Sequence, residues 1–161
     1  MTGASQGIGK AIVQTFMDRG YNVVATSRTV SEAGFALSSS LALHDGDISQ
    51  AETAGKVAQA AVGKSGSIDH VVNNAGIFSV KPFTEYTADE FRRFVSVNLE
   101  GFIFITAACS RADAVAGQRR QRDNHYCGAR RQPHRRSLEL PTLYLTCFEM
   151  CLVSRKRRFG W

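Results

Sequence analysis

The sequence of 161 residues lacks any long hydrophobic run. A membrane-spanning helix needs about 20 consecutive apolar residues, and the best stretch, residues 101–109, is far shorter. Met1 leads directly into Thr-Gly-Ala-Ser, which does not resemble the charged and then apolar start of a secretory signal peptide. We therefore expect no membrane partner and no signal peptide, and a cytoplasmic protein.

Cysteine and proline are scarce, with four and three residues in the chain. Four scattered cysteines without a secretory context do not form a disulfide framework, which agrees with a reducing compartment. Hydrophobic residues make up 43% of the sequence, and this composition excludes a disordered chain. The length suits one domain with a buried core.

Excess positive charge is missing from the first two thirds of the chain. Residues 1–109 carry 8 basic and 10 acidic side chains, whereas residues 110–161 carry 12 basic and 4 acidic ones. Eleven of those 12 basic residues are arginines, and 11 of the 14 glycines lie in the first part. The net charge of +6 is therefore no sign of an acidic partner, and we predict two parts, 1–109 and 110–161, of unrelated composition.

Predicted strands and helices alternate over the first part. They are a helix at 9–19, strands at 21–27 and 41–43, a helix at 50–64 and a strand at 69–73. Thr87 and Glu90 have the spacing of a capping box and predict the start of a further helix. This alternation favours an α/β fold with a parallel sheet.

Glycine is concentrated in the loop Thr2–Gly9, which stands between a strand position and a helix. Such glycines allow a tight turn and let a pyrophosphate approach backbone N–H groups, and the helix N-terminus favours the anion. Taken alone, a glycine-rich loop is as often a structural turn as a nucleotide site.

Three further motifs follow this loop in order. They are Asp47-Ile48, Asn73-Asn74-Ala75-Gly76 and Asn98. Together with Thr2–Gly9, they resemble the classical short-chain dehydrogenase/reductase family over roughly residues 2–109. The resemblance implies a Rossmann-like, doubly wound parallel sheet. It also implies an NAD(P)-dependent oxidoreductase that transfers a hydride to or from a small carbonyl or alcohol.

The resemblance implies a role for each motif. The implied cofactor contacts are Gly3, Gly7, Ile8 and Gly9 at the pyrophosphate, Asp47 and Ile48 at the adenine ring, and Asn74, Ala75 and Gly76 at the nicotinamide ribose. Asn98 would anchor a proton-relay water and is the one surviving member of the catalytic set. Judged singly, Asp47 is as often a solvated loop acid, and Asn98 is more often a competitor for helix backbone hydrogen bonds.

The cofactor preference follows from the end of the strand after the first helix. This strand ends in Ala25-Thr26-Ser27-Arg28 and has no acidic residue to bind the ribose hydroxyls of NAD. Arg28 is suited to pair with a 2′-phosphate, with help from Ser5. We therefore favour NADP over NAD; the alternative is a solvated arginine. No metal site is expected.

The family's serine and its Tyr-x-x-x-Lys motif are absent. In that motif the tyrosine is the acid/base, and the neighbouring lysine lowers its pKa. Tyr126 precedes Arg130 by four positions but follows Asn98 too closely, and Tyr144 has Phe148 at the lysine position. We reject both, and expect impaired catalysis. The alternatives are a residual nucleotide-binding fragment and a non-functional truncated product.

The sheet is also expected to be incomplete. The family's first, central strand should precede Thr2, where only Met1 stands. Its loss would leave two open hydrogen-bonding edges. We therefore expect a doubly wound sheet without its first strand and without the C-terminal catalytic part.

After about residue 110, apolar residues no longer recur at the spacing of a helix or a strand. The codons implied by residues 118–126, read one base later, allow Ser-Gly-Gly-Ser-Gly-Ile-Ile-Thr-Ile, which is a turn followed by a buried strand. A one-base frameshift near Cys109 therefore explains both the arginine excess and the shortage of lysine.

Two other interpretations of the tail have less support than the frameshift. Arginine clusters at 130–136 and 155–158 lack any recognisable nucleic-acid fold, so no specific nucleic acid is expected. A zinc site is the second reading, but its candidate ligands lack the spacing of known zinc motifs. Those candidates are His125, Cys127, His134, Cys147 and Cys151.

Overall fold

The structure is a computed structural model, which describes residues 1–125 and 150–152. The helices are α1 (Gly7–Asp18), α2 (Ala51–Ser65), α3 (Ala88–Val95) and α4 (Gly101–His125). The strands are β1 (Val23–Ser27), β2 (Leu41–Asp45), β3 (Val71–Asn73) and β4 (Met150–Leu152). Short 3₁₀ turns occur at Val30–Glu32 and Phe83–Glu85, and a π-helical turn at Ser96–Glu100 joins α3 to α4. In this described part of the chain, no helix has both the length and the apolar character of a membrane span.

The start of α3 is the predicted capping box. Thr87 Oγ1 accepts a hydrogen bond from the Glu90 N–H at 3.2 Å, and the Glu90 carboxylate accepts one from the Thr87 N–H at 2.9 Å. These bonds satisfy backbone donors that a helix start leaves without intrahelical partners. The predicted start is confirmed, whereas the π-helical turn that follows α3 had no signal in the apolar spacing.

Two strand pairs build the sheet. β1 and β2 run parallel, with Val23 opposite Leu41 and Ser27 opposite Asp45. β3 and β4 run antiparallel, with Val72 opposite Cys151. The parallel pairing agrees with the α/β alternation of the sequence, and β4 adds an antiparallel strand that the sequence did not predict.

The first two residues of the chain join the two strand pairs. The Met1 nitrogen donates to the Val24 carbonyl at 3.0 Å, and the Thr26 N–H donates to the Met1 carbonyl at 2.9 Å. The Thr2 N–H donates to the Val72 carbonyl on the other side, at 3.0 Å. Met1 and Thr2 therefore lie between β1 and β3, in the position of a central strand.

The buried core lies on both faces of this sheet. On one face, α2 and α4 pack around Val57 and Ile105. On the other face, α1 packs through Val13 against Val23 and Ala25 of β1. Helices on both faces of a parallel sheet are the doubly wound arrangement.

The change of composition at residue 109 falls inside α4. Asp113 Oδ1 accepts a hydrogen bond from the Ile68 N–H at 3.0 Å, and Ala116 is buried. The first residues after position 109 therefore pack with the domain, and a separate unit over 110–161 stays a prediction from composition alone.

Several predictions for the tail concern residues or side chains outside the described part of the structure. These are the rejected tyrosines Tyr126 and Tyr144, the arginine clusters at 130–136 and 155–158, and the zinc candidates His125, Cys127, His134, Cys147 and Cys151.

Candidate cofactor site

Two glycines of the loop are required by close packing. A Cβ on Gly9 would overlap the Gly3 carbonyl oxygen and lie 2.6 Å from Asn74 Nδ2. A Cβ on Gly3 would lie 2.8 Å from the Ala75 Cα, and the φ of Gly3 is 64°, in the left-handed region. Gly3 and Gly9 therefore hold the loop against the segment that follows β3.

Gly7 differs from these two glycines. Its φ of 55° also needs glycine, but nothing lies within 4 Å of its Cβ position. Gly7 is the first residue of α1, which begins without a side-chain cap at Gln6 and without an acidic residue in its first turn. The first N–H groups of a helix have no intrahelical partners and favour an anion. The open side of the loop is therefore suited to a phosphate group, and Ile8, which is 68% exposed, lies beside it in the chain.

Thr2 ties the loop to the segment after β3. Its buried hydroxyl accepts hydrogen bonds from the N–H groups of Asn74 and Ala75, both at 3.1 Å. In return, Asn74 Nδ2 donates to the carbonyls of Thr2 and Gly3, at 3.3 and 3.2 Å. The sequence prediction missed Thr2 as a site residue. Its signal was a hydroxyl side chain directly before the first loop glycine.

Asn98 lies in the π-helical turn between α3 and α4. Its Oδ1 accepts from the Ile77 N–H at 2.8 Å, and its Nδ2 donates to the Ile77 carbonyl at 2.9 Å. A Cβ on Gly76 would lie 3.4 Å from Asn98 Oδ1. The amide of Asn98 thus holds the chain after β3 in place. Its role with a proton-relay water stays a prediction.

Of the Asp47-Ile48 motif, Asp47 lies at the surface and Ile48 lies in the core. Asp47 is exposed, and its Oδ1 accepts from the Ser49 N–H at 2.9 Å in the turn before α2. The Ile48 side chain is only 7% exposed, and a Cβ on Gly101 would come within 2.8 Å of it. Ile48 therefore packs in the core, so any contact with an adenine ring has to come from its backbone.

The end of β1 presents a cation and no free acid. Arg28 is exposed and makes no ion pair with a residue that the structure describes. Asp45 is paired with Ser27 across the strands, but its carboxylate already accepts hydrogen bonds from the hydroxyl and the N–H of Ser31. These bonds lower the pKa of Asp45. Ser5 is half-buried in the loop itself.

Ser27 also contributes a polar side chain to this edge. The Ser27 hydroxyl is buried and makes no hydrogen bond within the part of the chain that the structure describes. Buried polar atoms are nearly always paired, so such an atom marks a place for a further group. This edge therefore offers groups that fit the phosphates of a dinucleotide. They are the open N–H groups at the start of α1, the exposed cation of Arg28 and the Ser27 hydroxyl.

The family model described as short chain dehydrogenase matches residues 1–119. The chain belongs to the short-chain dehydrogenase family. A curated relative, an uncharacterized oxidoreductase of Schizosaccharomyces pombe, is 37% identical over 108 residues, which cover 66% of this chain and 36% of the relative. The predicted family and its oxidoreductase class are thereby confirmed.

Solved structures of the family share the fold. The 3-ketoacyl-(acyl-carrier-protein) reductase of Brucella melitensis, complexed with NADH, has a TM-score of 0.62 and 29% identity over 66% of this chain and 46% of its own. The alcohol dehydrogenase of Thermococcus sibiricus, complexed with 5-hydroxy-NADP, has a TM-score of 0.60 and 29% identity over 70% and 51%. The Rossmann-like fold class is therefore confirmed, and this short-chain dehydrogenase spans about half the length of these relatives or less.

Proposed function

We propose that this short-chain dehydrogenase binds a nicotinamide dinucleotide at the glycine loop, NADP in preference to NAD. We also propose that it turns over a small carbonyl or alcohol substrate poorly or not at all. The observation that carries the binding proposal is the loop itself. Its Gly3 and Gly9 are locked against Asn74 and Ala75, while Gly7 leaves the uncapped start of α1 open.

Binding at this edge uses groups that the fold already holds in place. The N–H groups at the start of α1 donate to a pyrophosphate, and glycine at position 7 leaves room for that approach. Thr2 and Asn74 keep the loop from moving, so little ordering of the chain opposes binding. When bound, the cofactor supplies the hydride exchange on which the family's oxidoreductase chemistry depends.

The preference for NADP rests on charge at the end of β1. Arg28 is an exposed cation without a partner among the described residues, and guanidinium groups pair well with phosphate. Asp45, the acid nearest in strand register, is occupied by Ser31 and is poorly placed to bind ribose hydroxyls. Two relatives are solved with NADH and with an NADP analogue, so both cofactors occur in the family.

Weak turnover is proposed because of what the sequence lacks. No Tyr-x-x-x-Lys occurs in the 161 residues, so no tyrosine has the lysine that would lower its pKa for proton transfer. Asn98 is kept, but it holds the Ile77 backbone and does not itself exchange a proton. A reading frame displaced by one base near Cys109 accounts for this absence. An intact frame across codons 105–120 in independently isolated DNA would contradict that account.

Cofactor binding is tested by titrating the full chain with NADPH and following its fluorescence. Gly7→Asp places a carboxylate where the pyrophosphate would lie, and we expect it to abolish saturable binding. Gly66→Asp is the matched control, because Gly66 also has a positive φ, of 69°, and nothing within 4 Å of its Cβ position. Equal binding by both variants would contradict a site at this loop.

The same titration tests the cofactor preference. Arg28→Ala removes the cation, and we expect NADPH affinity to fall about tenfold while NADH affinity stays unchanged. Arg19→Ala changes another exposed arginine, at the end of α1, and should leave both affinities as they are. A loss shared equally by the two cofactors would contradict a contact with the 2′-phosphate.

Turnover is measured separately, as NADPH oxidation with a panel of small carbonyl compounds. Saturable binding without oxidation supports the residual nucleotide-binding fragment. Oxidation well above the rate without protein would contradict impaired catalysis. Absence of both binding and a cooperative unfolding transition would favour a non-functional product instead.

A further inference from the structure

An acidic side chain lies one strand away from the end of β1. Asp45 is the last residue of β2, and it is paired in register with Ser27, the last residue of β1. Neighbouring strands lie about 4.8 Å apart, and side chains in register in a parallel pair point to the same face of the sheet. Val23 and Ala25 of β1 pack with Val13 of α1. Because side chains alternate along a strand, Ser27 and Asp45 also lie on the face that α1 covers.

Backbone hydrogen bonds hold the end of β2 against the end of β1. Thr26 Oγ1 donates to the His44 carbonyl at 2.7 Å, and the Gly46 N–H donates to the Ser27 carbonyl at 2.9 Å. These two bonds lie immediately before and immediately after Asp45 in the chain. The backbone of Asp45 is therefore a fixed neighbour of the β1 end, whatever its exposed side chain contacts.

Ser31 holds the Asp45 carboxylate with two hydrogen bonds. Its N–H donates to Oδ1 at 2.9 Å, and its hydroxyl donates to Oδ2. Ser31 lies in the 3₁₀ turn Val30–Glu32, which follows Arg28 closely and is anchored by the buried side chain of Val30. Both carboxylate oxygens therefore already accept hydrogen bonds from the turn after β1.

A free carboxylate at this place would act differently on the two nicotinamide cofactors. It would accept hydrogen bonds from the ribose hydroxyls of NAD, as an acid near the end of this strand does in dinucleotide-binding folds. It would also repel the 2′-phosphate of NADP, because the two groups carry charge of the same sign. A carboxylate that Ser31 already holds must give up an existing hydrogen bond to reach the ribose, so its net gain from NAD is small.

We propose that Asp45 is a latent ribose-binding acid and that Ser31 is the positioning residue that withholds it from the cofactor. This inference rests on the proposed binding of a nicotinamide dinucleotide at the glycine loop. It gives the cofactor preference two separate causes. Arg28 attracts the 2′-phosphate, and the Ser31 hydroxyl keeps the competing acid away from the ribose.

The test titrates variants of the full chain with NADPH and with NADH, and compares the ratio of the two association constants. Ser31→Ala removes the hydroxyl, so Oδ2 of Asp45 loses its donor. We expect the ratio of NADPH to NADH affinity to fall about tenfold, because NADH gains a hydrogen bond and NADPH meets a free charge. Ser31→Thr keeps a hydroxyl at this position and should retain the ratio of the unaltered chain.

A double variant separates the free charge from any loosening of the turn. Ser31→Ala alone and Ser31→Ala combined with Asp45→Asn lack the same hydroxyl, so they share any structural loosening. Only the single variant carries the free carboxylate, and we therefore expect the double variant to recover the ratio. Glu32→Gln in the Ser31→Ala background is the control, because it removes another exposed acid of the same turn and should not recover the ratio.

A second measurement needs no cofactor. The Ser31 hydroxyl is the main cause that lowers the pKa of Asp45, followed by the Ser31 N–H. Ser31→Ala should therefore raise this pKa, which NMR titration of the Asp45 side-chain carboxyl carbon measures. An unchanged pKa would show that the hydroxyl does not hold the carboxylate in solution, and it would overturn the inference whether or not a cofactor binds.

The binding titrations have four distinct outcomes. A fall of the ratio in Ser31→Ala that Asp45→Asn reverses supports the inference. A fall that persists in the double variant would assign Ser31 a structural role only and would overturn it. An unchanged ratio in Ser31→Ala, with both cofactors still bound, would overturn it and leave the binding proposal intact. Absence of saturable binding of either cofactor to the unaltered chain would contradict the proposed function and this inference together.

Discussion

β1 and β3, which lie on either side of Met1 and Thr2, are joined differently at their two ends. At the carboxyl end, Thr2 and Asn74 bridge the strands through side-chain and backbone hydrogen bonds, and Gly3 and Gly9 pack without space for a Cβ. At the amino end, the same two strands face a cleft of about 330 Å³. In the described part of the chain, β1 and β3 are therefore bridged by hydrogen bonds at the loop end and separated at the other end.

The two ends also differ in the kind of contact. The loop end depends on hydrogen bonds between Thr2 and Asn74, 72 positions apart in the chain, whereas the cleft end is lined mainly by apolar side chains. The ends of the sheet are therefore best probed by paired substitutions, one at each end.

The largest effect is expected from alanine at Gly9, at the loop end, and Gly20 is its counterpart at the other end. Gly9→Ala forces a Cβ into the Gly3 carbonyl, so we expect the free energy of unfolding to fall by about 3 kcal/mol. Gly20→Ala, at the rim of the cleft, meets nothing within 4 Å and is strained only by a φ of 79°, so about 1 kcal/mol is expected. Urea denaturation measures both. A larger loss of unfolding free energy in Gly20→Ala than in Gly9→Ala would contradict tighter packing at the loop end.

A smaller effect is expected at Thr2. Thr2→Val keeps the shape of the side chain but removes the acceptor of two N–H groups, so we expect a loss of about 2 kcal/mol and weaker NADPH binding. Thr2→Ser keeps the hydroxyl and should retain most of the stability and most of the NADPH affinity. If Thr2→Val were as stable as Thr2→Ser, the bridge would not be what closes the loop end.

The smallest effect concerns charge at the start of α3. The Lys81 ammonium, with help from Thr87, lowers the pKa of Glu90 to about 2. Because this pKa lies below its usual value of 4.5, the stabilising carboxylate is fully present above pH 4.5 and is lost only as the pH falls through about 2. In Lys81→Gln the pKa should rise and the cap of α3 should loosen at higher pH.

NMR titration of the Glu90 side-chain carbonyl carbon measures this shift directly. Lys64→Gln, on α2 and away from Glu90, is the control and should leave the pKa of Glu90 unchanged. An unchanged pKa in Lys81→Gln would show that Thr87 alone lowers it.

Local patterns predicted the elements well and the site in part. The glycines of Thr2–Gly9, the capping box at Thr87 and the strand that precedes Arg28 each depend on neighbouring residues in the chain, so the sequence indicated them directly. The Asn98 bonds to Ile77 and the burial of Ile48 against Gly101 depend on residues far apart in the chain. Spacing does not encode such contacts, and the resemblance named these residues without saying what they touch.

The sequence by itself determined the family, the order of strands and helices up to α3, and the absence of Tyr-x-x-x-Lys, because each depends on residues that are close together in the chain. Only the tertiary structure decided which glycine faces open space and which are closed by packing. It also decided that Met1 and Thr2 lie between β1 and β3 and leave a cleft behind them. These outcomes depend on how far apart two strands lie, a distance set by packing across the whole sheet.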